Sequence, residues 1–135
     1  MKLKIWIIIS IFFGGVLGTL LRYVINLQTM TLLFPIGTVI ENLLGSFLLG
    51  VLTGWIVVKV IPPVVKEGIG VGFCGGFTTM STLAADSVFL AGQETLFQAS
   101  LYLAVSLLGG VALAFLGIAI GQRVATGKKK AGVKV

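Results

Sequence analysis

Four long stretches of the chain carry no charge. Residues 5–21 lie between Lys4 and Arg22, residues 42–58 between Glu41 and Lys59, residues 68–85 between Glu67 and Asp86, and residues 95–122 between Glu94 and Arg123. A helix needs about 20 mostly apolar residues to cross about 30 Å of hydrocarbon. The pattern therefore predicts an all-α membrane protein with four transmembrane helices, near 5–27, 34–57, 68–91 and 96–122, in one domain over residues 1–126. The loops are short: Gln28 to Leu33, Val58 to Glu67 with Pro62-Pro63, and Gly92 to Thr95. They leave no room for an extramembrane domain, and the small, basic tail Gly127–Val135 is expected to be disordered. Lys2 and Lys4 before an apolar run imitate a signal peptide, but no small-x-small cleavage site follows.

Composition sharpens this picture. Of 135 residues, 57% are apolar and 10% charged, where soluble domains are about 25% charged. A soluble fold this short could not cover so much apolar surface, so its solvent is lipid. The net charge of +6 does not point to nucleic acid, because five of the ten basic residues lie in the last 13 positions. There is no His, and the single Cys74 can form neither an internal disulfide nor a thiolate metal site. No nucleophile–base pair is present, so no enzyme is expected.

Small-xxx-small pairs recur at Gly14/Gly18, Gly50/Gly54, Gly68/Gly72, Gly72/Gly76 and Gly117/Gly121. Such pairs let helix backbones approach closely in lipid. Four helices enclose little interior, so this much glycine favours an oligomer. Counting Lys and Arg near helix ends, both termini and the 58–67 loop hold nine of the ten, and only Arg22 lies opposite. The bias predicts one fixed orientation with both termini in the cytoplasm.

Polar residues inside the spans are the candidate chemistry. The run Gly72 to Thr82 holds three glycines and four hydroxyl residues. A helix break there would free backbone carbonyls, tolerated only in protein or beside an aqueous or ionic site. The alternative is a continuous helix whose Ser and Thr bond back to their own backbone. Thr38, Asn42 and Ser46 share one face of the second span at i, i+4, i+8. Their N–H and O–H donors suit an anion shedding its water, or they bond neighbouring helices. Glu41 is an intramembrane carboxylate and so a candidate functional group; its closeness to Pro35 also suits snorkelling to the interface. Arg22 either anchors at the interface or pairs with Glu41 or Asp86. Tyr102 and Ser106 stand at i, i+4 on the last span. Phe12, Phe13, Phe47, Phe89, Phe97 and Phe115 read as lipid-facing or packing aromatics.

Together these segments resemble one family. Gly14-Gly15-x-x-Gly18-x-x-x-Arg22-Tyr23, then Pro35-x-Gly37-Thr38-x-x-x-Asn42-x-x-Gly45-Ser46-Phe47-x-x-Gly50, then Gly75-Gly76-x-Thr78-Thr79-x-Ser81-Thr82 are similar, in order and spacing, to the Fluc (CrcB) fluoride channels. The resemblance implies a four-helix protein of the bacterial cell membrane that works as an antiparallel dimer. It implies two fluoride pores along the subunit interface, a broken third helix, and a structural Na+ held at the dimer centre by backbone carbonyls matching Gly75 and Thr78. The pore Asn of the family matches Asn42, and its first-helix Arg matches Arg22. Its hydroxyl-bearing pore positions match Thr38, Ser81, Thr82 and Ser106, with Tyr102 nearby.

The sequence departs from the family pattern at both pore phenylalanines, which are replaced by Met80 and Leu83. A Phe ring offers a positive edge to an anion; Met and Leu offer no comparable dipole. Asp86 keeps an acidic position in shorter form, and Glu41 adds a carboxylate where the family is usually apolar. A nine-to-one charge bias is hard to reconcile with one sequence inserting both ways. The expected partner is therefore a paralogous, oppositely oriented subunit. Three functions follow: a fluoride-channel subunit for passive fluoride exit, a non-conducting structural subunit of such a channel, or a small proton-coupled drug exporter built around Glu41.

Overall fold

In a computed structural model, residues 2–32, 34–93 and 95–131 are described. Their regular structure is all helical, with no strand among them: α1 (Lys2–Thr29), α2 (Ile36–Val58), α3 (Pro63–Glu67), a π-helical stretch (Gly68–Cys74), α4 (Gly75–Phe77), α5 (Met80–Gln93) and α6 (Leu96–Ala131). Three of them, α1, α2 and Leu96–Gly127 of α6, are long and apolar enough to cross a membrane. The fourth expected span is made of shorter pieces: a helical run from Pro63 to Phe77, then α5.

Local chemistry sets the ends. Pro35 precedes α2, and Lys59 leaves it in extended conformation (φ −131°, ψ 140°) with its N–H on the Trp55 carbonyl at 2.9 Å. The expected loop through Glu67 is shorter, because Pro63 opens α3 at its first turn, where a missing N–H costs nothing. Thr95 caps α6: the Gln98 N–H donates to its Oγ1 at 3.2 Å. The expected disordered tail is also corrected, since α6 runs on to Ala131; Lys is a good helix former and no proline intervenes. Residues 132–135 of that tail, and Leu33 and Glu94 of the predicted loops, lie outside the described residues.

The five glycine pairs join helices within the chain. A Cβ on Gly50 or Gly54 of α2 would strike the Ala114 or Ile118 carbonyl of α6, and one on Gly117 or Gly121 the Phe47 or Val51 carbonyl of α2. A second seam joins α1 to the Pro63–Phe77 run. There a Cβ on Gly14 or Gly18 would strike the Gly68 or Phe73 carbonyl, and one on Gly72 or Gly76 would lie 2.7 Å from the Ile11 oxygen or 2.6 Å from the Gly15 oxygen. These pairs are used up inside the subunit, so they do not argue for an oligomer. α5 packs on α6 around Leu83, Leu90, Ala99 and Tyr102, with Phe34, Val39 and Leu103 beside them. Phe12, Phe13, Phe89, Phe97 and Phe115 are exposed and Phe47 is half-buried. In a bilayer such outward apolar rings face their natural solvent.

Candidate functional site

The site is built where the backbone leaves the helix. Thr78 is extended (φ −82°, ψ 158°), and α5 begins two residues later. Backbone groups at such a point lose their ladder partners and need others. Thr78 N–H and Oγ1–H both donate to the Cys74 carbonyl, at 3.0 and 2.9 Å. Thr19 of α1 donates Oγ1–H to the Gly76 carbonyl at 3.4 Å, and Arg22 donates from its guanidinium to the Thr78 carbonyl at 3.5 Å. Asn42 of α2 takes both groups of Thr79: its Oδ1 accepts the N–H at 2.8 Å, and its Nδ2–H donates to the carbonyl at 2.9 Å. Thr79 then caps α5, its Oγ1 accepting the Thr82 N–H at 3.2 Å while sharing hydroxyl bonds with Thr82 (2.9 Å) and Ser81 (3.2 Å).

Two hollows flank this point. A groove of about 430 Å³ is lined by Asn42, Ser46, Gly75, Thr78, Thr79, Met80, Leu83 and Ser106, among others. A second pocket of about 260 Å³ is lined by Asn26, Thr29, Thr38, Thr82 and Asp86, with Phe89 and neighbours. The hydroxyl pair Thr79–Thr82 joins them. The polar stripe of α2 therefore serves three separate places: Thr38 the second pocket, Asn42 the broken backbone, Ser46 the groove wall.

Asp86 anchors the second pocket. Its Oδ2 accepts the Thr38 hydroxyl at 2.8 Å and the Tyr102 hydroxyl at 2.9 Å. Both donors are buried, so Asp86 satisfies two hydroxyls that would otherwise be stranded. Ser106, also buried, has no hydrogen-bond partner for Oγ among the described residues, yet it lines the groove. Asn42 keeps a second N–H beyond the one it spends on Thr79. Met80 is 70% exposed on the groove, whereas Leu83 is 3% exposed and belongs to the α5–α6 core.

Two expectations about charge are revised. Glu41 does not snorkel; it is 0% exposed, and neither carboxylate oxygen has a hydrogen-bond partner among the described residues. It starts one turn too deep on α2, one helical position from Asn42, and faces the protein. Arg22 and Asp86 act on it electrostatically, and the Asn26 side chain approaches without completing a hydrogen bond. Arg22 itself is committed to the Thr78 carbonyl rather than to either acid; the one ion pair among the described residues is Lys66–Glu67, at the end of α3.

Gly75 and Thr78 carry the carbonyls to weigh against a structural cation. In an unbroken helix the Gly75 carbonyl would receive the N–H of Thr79, but that N–H goes to Asn42. Gly75 is exposed, with open space around it, and lines the groove beside Thr78. The Gly75 carbonyl is thereby released, and the Thr78 carbonyl, which accepts from Arg22 at 3.5 Å, keeps its second lone pair; neutral backbone oxygens of this kind suit a hard monovalent cation, so these residues fit the role. Thr79, Thr19 and Asn26 were missed as site residues. Thr79-x-x-Thr82 has the spacing of a helix cap, and Asn26 stands four residues after Arg22, on its face.

The family model described as "CrcB-like protein, Camphor Resistance (CrcB)" matches residues 9–118. Over 123 residues the chain is 50% identical to a Halalkalibacterium halodurans protein named fluoride-specific ion channel FluC 2, covering 91% of each chain. A Bacillus licheniformis protein of the same name is 48% identical over 124 residues, covering 90% of this chain and 93% of the relative. A Bacillus cereus protein named fluoride-specific ion channel FluC 1 is 40% identical over 122 residues, covering 87% and 83%.

Proposed function

The chain belongs to the CrcB family, and on that premise we propose that it is a subunit of a fluoride channel that lets fluoride leave the cytoplasm passively. No bond is made or broken; the family is one of ion channels and not of enzymes. Fluoride entering the groove exchanges hydration water for fixed donors. The observation that carries this reading is the Ser106 hydroxyl, buried on the groove and without a partner. A buried, unpaired hydroxyl costs about 1–3 kcal/mol, a cost that a bound anion would repay. The second N–H of Asn42 is the companion donor. Thr38 and Tyr102 spend their hydroxyls on Asp86, so they shape the second pocket and reach an anion only by releasing that bond. Thr82 lines the second pocket and meets the Thr79 hydroxyl of the groove, and Ser81 shares the same hydroxyl cluster.

The groove lies on the surface of the subunit, and an antiparallel partner would close it and complete two pores. Numbered FluC 1 and FluC 2 relatives and the nine-to-one Lys and Arg bias support a paralogous partner, with both termini of this chain in the cytoplasm of the bacterial cell. The third span then crosses the membrane as two half-helices, Pro63–Phe77 and α5. Na+ at the dimer centre would be held by the Gly75 and Thr78 carbonyls, and it supplies positive charge that lowers the cost of an anion in low dielectric.

A second reading keeps this chain as a non-conducting partner. Met80, 70% exposed on the groove, favours it, since a thioether offers an anion no hydrogen bond. Fluoride efflux from liposomes, with this chain alone and then with its paralogue, separates the two. Flux that vanishes in Ser106→Ala of this chain supports a conducting pore; flux indifferent to every groove substitution here supports the structural subunit. The drug-exporter reading loses its footing with the family assignment and with the enclosure of Glu41.

A further inference from the structure

The two hydrogen bonds between Asn42 and Thr79 connect the groove to the backbone break. α2 reaches the Thr79 peptide with a side chain able to accept and donate at once. Without Asn42, the Thr79 N–H has one obvious acceptor, the Gly75 carbonyl four residues earlier. Closing that bond restores an α-helical turn and withdraws the Gly75 oxygen from the groove. Thr78 contributes to the same balance. Its extended backbone keeps the chain out of the helix, and its own N–H and hydroxyl both fall back on the Cys74 carbonyl. Folding residue 79 back requires Thr78 to return to a helical ψ, which the Asn42 clamp and the Thr79 cap on α5 both oppose.

We infer that Asn42 is a positioning residue for the cation site: by capturing the Thr79 N–H it keeps the Gly75 carbonyl free to bind Na+. The inference rests on the proposed cation site at Gly75 and Thr78. It gives Asn42 two duties, one N–H for the anion in the groove and the rest of its amide for the backbone that faces the cation. Anion and cation sites are then coupled through a single side chain.

The test reads Na+ rather than fluoride. The full chain, purified in the assembly in which it is isolated, is titrated with Na+ against N-methyl-D-glucamine, following the thermal unfolding midpoint and retention of radioactive Na+. In Asn42→Ala the freed N–H competes for the Gly75 oxygen, and one neutral hydrogen bond weakens apparent Na+ affinity about fivefold. Thr79→Pro removes the N–H altogether, and Thr78 already has the backbone that precedes proline. The double variant Asn42→Ala/Thr79→Pro therefore regains Na+ affinity to within about twofold of the starting protein, because the competing donor is gone. Unchanged Na+ dependence in Asn42→Ala, or no rescue in the double variant, overturns the inference and leaves the cation site standing. A starting protein that neither retains Na+ nor gains stability from it overturns the cation site and the inference with it.

Discussion

Replacing Ser106 by alanine should lower fluoride flux and raise stability in the same protein. Its hydroxyl is buried and unpartnered, on the wall of the groove. In the empty subunit that oxygen pays for its lost hydration, by about 1–3 kcal/mol. Alanine removes the unpaired group and is the better helix former by a few tenths of a kcal/mol. The lost packing is one buried atom. The balance favours the variant by about 1 kcal/mol, a rise of a few degrees in unfolding midpoint. Flux moves the other way. A hydrogen bond to a charged partner is worth about 1.5–3 kcal/mol, so losing it where fluoride sheds its water slows passage about tenfold to a hundredfold. Fluoride release from liposomes, read with a fluoride electrode, gives the first quantity, and thermal unfolding in detergent gives the second. Unchanged flux refutes the reasoning. So does a loss of flux that tracks a loss of stability, because Ser106 would then be holding the fold and not the ion.

Four further substitutions probe the surroundings. Asp86→Ala strands the buried hydroxyls of Thr38 and Tyr102 and should cost about 2–5 kcal/mol; Tyr102→Phe should cost about 1 kcal/mol, and thermal or denaturant unfolding checks both. Gly54→Val puts a side chain within 2.8 Å of the Ile118 carbonyl carbon, forces α2 from α6, and should lower stability by about 1–3 kcal/mol with a broadened elution profile in size-exclusion chromatography. Glu41→Gln keeps the shape and removes the carboxylate beside Asn42. It should leave folding intact and raise fluoride flux by about two- to tenfold at pH 9, where the carboxylate is ionised, as expected for removing a like charge near an anion path. A fall in flux would show that Glu41 supports permeation.

Much of this was legible in the chain, for reasons that differ by element. α1, α2 and α6 follow from uninterrupted apolar runs, and the glycine pairs announced close helix contacts. Which helices they join was not legible, because spacing defines a face and not the partner opposite it. Asn42, Thr38 and Ser46 were visible as one stripe, yet each turned to a different task, since tertiary contacts and not helical phase decide where a short polar side chain finds its partner. Glu41 shows the same limit from the other side. Its distance in sequence from Pro35 suggested an interfacial position, while the α1–α2 approach encloses it with Arg22 and Asn26. Thr79 was quoted in the motif but given no role, because its cap and its bonds to Asn42 depend on the extended turn at Thr78, which composition left open. The helical extension over Gly127 to Ala131 was hidden by a composition that suits solvent and helix equally.

The wide turn over Gly68–Cys74 solves a problem of alignment. Glycines four apart in an α-helix, at about 100° per residue, advance about 40° round the axis at every step, so a ladder of three would wind away from a straight neighbour. In a π-helix of about 4.4 residues per turn the same step falls about 33° short of a full circle. Alternating one kind of turn with the other cancels the drift. Gly68, Gly72 and Gly76 can thus all lie along α1, against Ser10, Ile11 and Gly15, while Gly75, one position away, still looks outward into the groove. Deleting one residue from this stretch would straighten the helix and swing Gly75 and Thr78 to another azimuth, so a single missing amino acid here should silence the channel while leaving every side chain of the groove in the sequence.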